Sequence, residues 1–358
     1  SNLTTENAEL DINSSNKISI SQQLKFYIPL AATSILVIIT HSLFNAALAR
    51  LPSPEVYISA FAVAKSFMHV AESPMMMIRQ TVTTLVEDRE SYYRVRNFFI
   101  ILGVLIVLTF AVIVLAGLAR WIFNNIMGLE GKVLDEAVTI LKVLIIFPGV
   151  VTFRGFFQGT AIKLRATPLL TISTIIRIIF ISLIVVYIRQ LIEVIPPAIM
   201  AGLMFLCAAA VETIVIFLGS KIAIGDIVGN LDMIKKSNYI YQKMQDIGKA
   251  EGEYKNECDG ENDQLEPYGS TRDSVEELTY RTILYFFIPL ALTSFIKNLA
   301  LPIINTGLGR THSPELAISA YAVAWGLGTI VTSTLNMFHQ VPLNFMEDDD
   351  SDKLNIRQ

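Results

Sequence analysis

The strongest constraint on this chain is a repeat written inside apolar sequence. FYIPLAATS at Phe26 to Ser34 returns as FFIPLALTS at Phe286 to Ser294, and RLPSPEVYISAFAVA at Arg50 to Ala64 returns as RTHSPELAISAYAVA at Arg310 to Ala324. Pro29 and Pro289, Pro54 and Pro314, and Gln80 and Gln340 are each 260 residues apart, so no gap interrupts the correspondence. A repeat of this length in membrane-type sequence predicts two lobes, with any path between them near mid-membrane.

The apolar runs are too long for a soluble core. Of 358 residues, 53% are hydrophobic and 17% charged, which places the chain among integral membrane proteins. Eight stretches are candidate spans: 26–49, 57–80, 97–119, 134–157, 166–188, 196–220, 283–309 and 315–345. The expected fold class is all-α, a polytopic transmembrane helical bundle with a six-helix first lobe and a partial second lobe of two helices. The expected division is a disordered polar tail over 1–25, the first lobe over 26–220, a linker over 221–282, the start of the second lobe over 283–346, and an acidic tail over 347–358. Within the linker, residues 222–244 read as a surface amphipathic helix or plain connector. Arg89, Arg94 and Arg96 follow the second span, Lys163 and Arg165 the fourth, and Lys221, Lys235 and Lys236 the sixth; alternate loops carry fewer cations. The positive-inside bias therefore predicts a multi-pass protein of the cell membrane with its N-terminus and linker in the cytoplasm. Cys207 and Cys258 are expected as free thiols.

Charge inside the spans carries the functional reading. In the second span Lys65, His69, Glu72, Met76 and Arg79 recur at spacings of 4, 3, 4 and 3, which puts them on one helical stripe. Ionisable groups at membrane depth are expensive against lipid, so the stripe is expected to face a bundle interior or cavity, or to be satisfied by internal pairing. Pro74 is expected to kink this helix as a gate and to leave the Val70 carbonyl pointing at the cavity. Glu72 is the leading candidate for proton coupling, with His69 as relay. The matching positions of the second copy are Trp325, Thr329, Thr332, Asn336 and His339, so any coupling site is expected to be one-sided. Ser34, His41 and Asn45 in the first span, with Ser294, Asn298 and Asn305 in its copy, are neutral groups suited either to a pathway or to helix packing. Arg177 and Glu212 are expected to pair across the fifth and sixth spans. Arg154 is expected to snorkel from the end of the fourth. Lys65, Lys142, Arg177 and Lys297 are read as buried cations outnumbering Glu72 and Glu212, which favours an anionic substrate. Ser53 and Ser313, each followed by Pro-Glu, read as N-caps.

No P-loop, GxGxxG, HExxH, GxSxG or clustered metal-ligand spacing occurs, so no enzyme activity, cofactor or metal is expected, and no basic, aromatic-rich segment suggests nucleic acid. Six spans, a linker and a restarted copy resemble the superfamily of multidrug and toxin extrusion transporters, lipid-linked oligosaccharide flippases and lipid II flippases. Within it the chain looks like the progressive ankylosis family, on FPGVVTFRGFFQGTAIKLRAT at Phe147 to Thr167, STIIRIIFISLIVV at Ser173 to Val186 and AAAVETIVIF at Ala208 to Phe217. That resemblance implies export of organic anions. The carboxylates with which multidrug members couple protons or sodium do not stand at matching places, which argues against multidrug antiport. The expectation is a secondary-active antiporter-like exporter working by alternating access in the bilayer on a small-molecule substrate, coupled to H+ or Na+. The alternatives are a flippase for a lipid-linked anionic substrate, and a non-transporting fragment or scaffold. After two spans the second copy runs into FMEDDDSDKLNIRQ, and about four further spans of an equal copy are expected from a longer product or a second chain.

Overall fold

A computed structural model describes residues 35–36, 38–164, 166, 168–224, 227, 229–233 and 278–338, with side chains of the last helix described through Thr329. The expectations for the N-terminal and acidic tails, most of the linker, Pro29, Ser34, Arg165, Cys258, His339 and Gln340 lie outside those residues, as do those for the side chains of Thr332 and Asn336.

The described residues are helical wherever they are regular. The first copy opens with α1 (Ile38–Leu48) and α2 (Pro54–Glu72). A 3-10 turn over Ser73–Met77 carries α2 into α3 (Ile78–Leu85). Then follow α4 (Arg89–Leu115), the single turn α5 (Leu118–Trp121) leading to a π-helical stretch at Ile122–Ile126, and α6 (Gly131–Val143). A 3-10 turn at Leu144–Ile146 joins α6 to α7 (Phe147–Lys163), and α8 (Pro168–Val194) and α9 (Pro197–Ile224) complete the lobe. The second copy supplies α10 (Tyr280–Asn298), α11 (Ala300–Gly309) and α12 (Pro314–Phe338). Among the described residues, five helical runs, from α4 through α10 and α11 together, are long and apolar enough to cross a membrane, which defines a multi-pass membrane protein.

Local chemistry explains where helices begin and break. α4 starts eight residues before the apolar window at 97, because Asp88 caps it: its carboxylate accepts from the Ser91 N–H at 2.8 Å, and the Ser91 hydroxyl accepts from the Asp88 N–H at 3.0 Å. Hydropathy reads the polar first turns as loop, whereas the cap lets the helix run through them. α2 starts at Pro54, but Ser53 makes no side-chain cap. It stands in the left-handed region at φ 55°, where its hydroxyl cannot reach the first-turn amides as an extended N-cap would. Pro74 falls in the 3-10 turn, as a residue without an amide proton demands. The Val70 carbonyl it deprives is not left facing the cavity; the Ser73 hydroxyl donates to it at 2.7 Å.

α2 is the hub, packed by α6 on one side and α12 on another, while α10 crosses the 3-10 turn at its end. α3 lies along α7, and α9 is wedged among α6, α7 and α8. The α3–α7 approach is backbone-close: a Cβ on Gly159 would sit 2.8 Å from the Arg79 carbonyl oxygen. Ile101, Val104, Leu105, Leu108 and Val112 of α4 and Ile172, Ile175, Ile179, Leu183 and Val186 of α8 are exposed, an apolar belt suited to lipid.

Candidate functional site

Between the two copies lies a cavity of about 480 Å³, walled by α1 and α2 on one side and by α10, α11 and α12 on the other. Its wall follows the repeat. Ile38 and Asn298, His41 and Leu301, Asn45 and Asn305, Phe61 and Tyr321, Ala62 and Ala322, Lys65 and Trp325, Ser66 and Gly326, and His69 and Thr329 all line it, and every pair is separated by 260 residues. Met76 and Lys297 complete the wall; their counterparts, Asn336 and Val37, lie outside the residues whose side chains are described. The cavity wall thus follows the relation between the copies, position by position.

The paired frame carries unlike chemistry. The first copy contributes His41, Lys65 and His69, whereas the same positions of the second are Leu301, Trp325 and Thr329. Lys65 Nζ donates to His41 Nδ1 at 3.1 Å and lies 5.6 Å from the centre of the Phe205 ring, so an imidazole and an aromatic face hold the ammonium in place. Phe205 also meets Phe44 at 5.1 Å, Phe61 at 5.6 Å and Phe147 at 4.8 Å, a packed aromatic floor under the lysine. Opposite, the Trp325 ring lies 5.8 Å from that of Tyr321, tilted by 30°.

The stripe on α2 divides. Lys65, His69 and Met76 face the cavity, but Glu72 is 1% exposed and stands behind His69, whose Nδ1 contacts Glu72 Oε1. Glu72 Oε2 is buried without a hydrogen-bond partner among the described residues. Arg79 is exposed beyond the 3-10 turn, because the irregular turn resets the helical phase that the regular spacing assumed.

A second polar centre lies within the first copy. Glu212 on α9 accepts from Arg177 on α8 at 2.5 Å, from Arg154 on α7 at 3.2 Å and from Gln158 on α7 at 3.1 Å. Arg177 also donates to the Thr40 hydroxyl on α1 at 3.2 Å, so the centre ties four helices together. Arg154 therefore does not snorkel; the close Glu212 carboxylate draws it inward, a contact that reading one helix at a time cannot supply. Gln158, one turn after Arg154 on the same face, was missed, and that i, i+4 spacing was the available signal. Lys142 is exposed and does not belong with the buried cations, because the interior face of α6 is taken by Val138, Ile140 and Leu141. Lys297 is exposed towards the cavity, and Asn298 turns its amide back to the Ser294 carbonyl at 2.8 Å.

The helices of the two copies pack around the cavity that their shared positions line, in an all-helical membrane-spanning fold. A solved inward-facing conformation of a multidrug resistance MATE family transporter of the MOP superfamily has this fold, with a TM-score of 0.58 at 13% identity over 84% of this chain. The chain spans 59% of the length of that protein. No family model matches the sequence, and no curated relative matches it.

Proposed function

We propose that the chain belongs to a secondary-active membrane transporter that exports an organic anion by alternating access, the solute being held between the two copies. The observation that carries this reading is the cavity wall: Lys65 and Lys297 supply cationic charge at membrane depth, and Trp325 and Tyr321 supply an aromatic wall beside it. A carboxylate or phosphate meets Lys65 and Lys297, while an apolar or aromatic body lies against Trp325. The fold shared with a MATE transporter supports the transport class. Glu72, buried behind His69 with one oxygen unpartnered, is the proton-coupling group, and His69 links it to the cavity. The N-terminus and linker are cytoplasmic, in keeping with the positive loops.

The test is uptake of labelled citrate, pyrophosphate and a cationic dye into proteoliposomes, under imposed proton and sodium gradients, with this chain and with a twelve-span form. Anion uptake that falls at least tenfold in Lys65→Ala, with the dye excluded, is the expected outcome. Dye uptake that is indifferent to Lys65 would overturn the anion reading, and movement of lipid probes without solute would favour a flippase. Glu72→Gln is expected to remove the dependence on the proton gradient while binding persists; unchanged dependence sinks its coupling role.

A further inference from the structure

Asn45 and Asn305 hold the same place in the two copies, and so do Ala62 and Ala322. Each asparagine donates its side-chain amide to the main-chain carbonyl of the alanine in the other copy: Asn45 Nδ2 to Ala322 O at 3.4 Å, and Asn305 Nδ2 to Ala62 O at 3.5 Å. These are one contact seen twice across the repeat axis. The neighbouring pair shows how closely the helices come. Asn305 Nδ2 lies 3.0 Å from the Ser66 hydroxyl, and at the matching Gly326 an added Cβ would stand 3.4 Å from the Asn45 amide nitrogen.

Both asparagines line the cavity about one and a half helical turns from the turns at residues 50–53 and 310–313. On that same face Arg310 donates to the Ile126 carbonyl at 2.7 Å. Beside it the copies meet backbone to backbone, for a Cβ on Gly309 would lie 2.4 Å from the Met127 carbonyl oxygen. We propose that Asn45 and Asn305 form a reciprocal latch that closes the cavity at this end, and that breaking both contacts together opens it. The chemistry suits release. Both bonds are near the long limit for a hydrogen bond. The acceptors are helix carbonyls, which lose little when the amides leave, and each freed amide remains at the cavity wall, where water can take it up.

The test measures access and assumes nothing about a transported solute. In membrane vesicles, with Cys207 and Cys258 replaced by Ala, a Leu301→Cys reporter in the cavity is labelled by a membrane-impermeant maleimide applied from either side. His312→Cys, on the exposed turn, identifies which side carries the turns. The expected result is slow labelling of the Leu301→Cys reporter from the turn side, raised at least fivefold by Asn45→Ala with Asn305→Ala. Each single variant gives a smaller rise, larger for Asn305→Ala because it also loses the Ser66 contact. Gly309→Ala keeps both asparagines and wedges the same face, so it reads the closed end even where the double variant is poorly inserted. Turn-side labelling unchanged in the single variants overturns the latch, and a rise from one asparagine alone overturns its reciprocity. A rise in Gly309→Ala with none in the asparagine variants assigns the closure to backbone packing alone and also overturns the proposal.

Discussion

Glu212 is the single acceptor for two guanidinium groups, and both it and Arg177 are more than nine-tenths buried. Removing one partner from a buried charge network leaves the other uncompensated, which destabilises far more than the network itself stabilises. Glu212→Gln is therefore expected to lower stability by on the order of 3–5 kcal/mol, read as a fall in the thermal midpoint of the purified protein in detergent. A fall within error of Arg154→Gln alone would show that Glu212 is not the hub. Depth in a span is legible from sequence, because a charge eight or more residues from either end of an apolar run has no loop to reach; that logic singles out Arg177 and Glu212. The same logic fails at Arg154, whose partner comes from a helix 58 residues away. It fails again at Lys142, where depth says nothing of which face the side chain takes. Thr40 is neutral and carries no signal until the ions around it are placed, whereas Gln158 offered only its i, i+4 spacing from Arg154.

At the scale of the element, two backbone features decide how the helices meet. Pro74 converts one turn of a long apolar segment to 3-10 geometry, which redirects α3 along α7 and turns Arg79 away from the stripe above it. Pro74→Ala is expected to extend regular helix through the turn and lift α3 from α7, lowering stability by about 1–3 kcal/mol, while slowing solute turnover if the turn is the gate. Calorimetry and initial-rate uptake on the same preparation separate the two effects, and a gain in stability would contradict the expectation. Gly159→Val places a branched side chain where even a Cβ meets the Arg79 carbonyl, so α3 and α7 must part; a loss of about 1–3 kcal/mol is expected, visible as earlier thermal unfolding. Helix starts were legible at Pro54 and Pro314, where proline suits the first turn. The break at Pro74 was legible too, though its consequence was not, because the serine just before it satisfies the carbonyl that proline abandons. The start of α4 was misplaced since a hydropathy window weighs side chains and ignores the Asp88 cap.

For the molecule as a whole, the exposed faces of α4 and α8 are continuous and apolar, whereas polarity is gathered inside. Leu108→Lys puts an ammonium on the lipid face of α4, at a penalty of about 3 kcal/mol for insertion, and is expected to reduce the alkali-resistant membrane fraction. Lys142→Leu, at a position already exposed, is expected to leave that fraction unchanged or raise it. The all-helical bundle and the two-copy plan were legible because apolar run length and a gapless offset survive in a single sequence. The chemistry of the cavity was legible in part: charge pointed to Lys65, but Phe205 beneath it comes from another span, and a contact between spans leaves no mark in the sequence. The pairing of the cavity wall has an evolutionary consequence. Duplicating a helical hairpin creates a vestibule between the copies before either has a ligand to bind, since the same positions of both line it. The wall can then change chemistry in one copy while the other preserves the shape, and Lys65 in one copy with Trp325 at the same position of the other is the trace such divergence leaves.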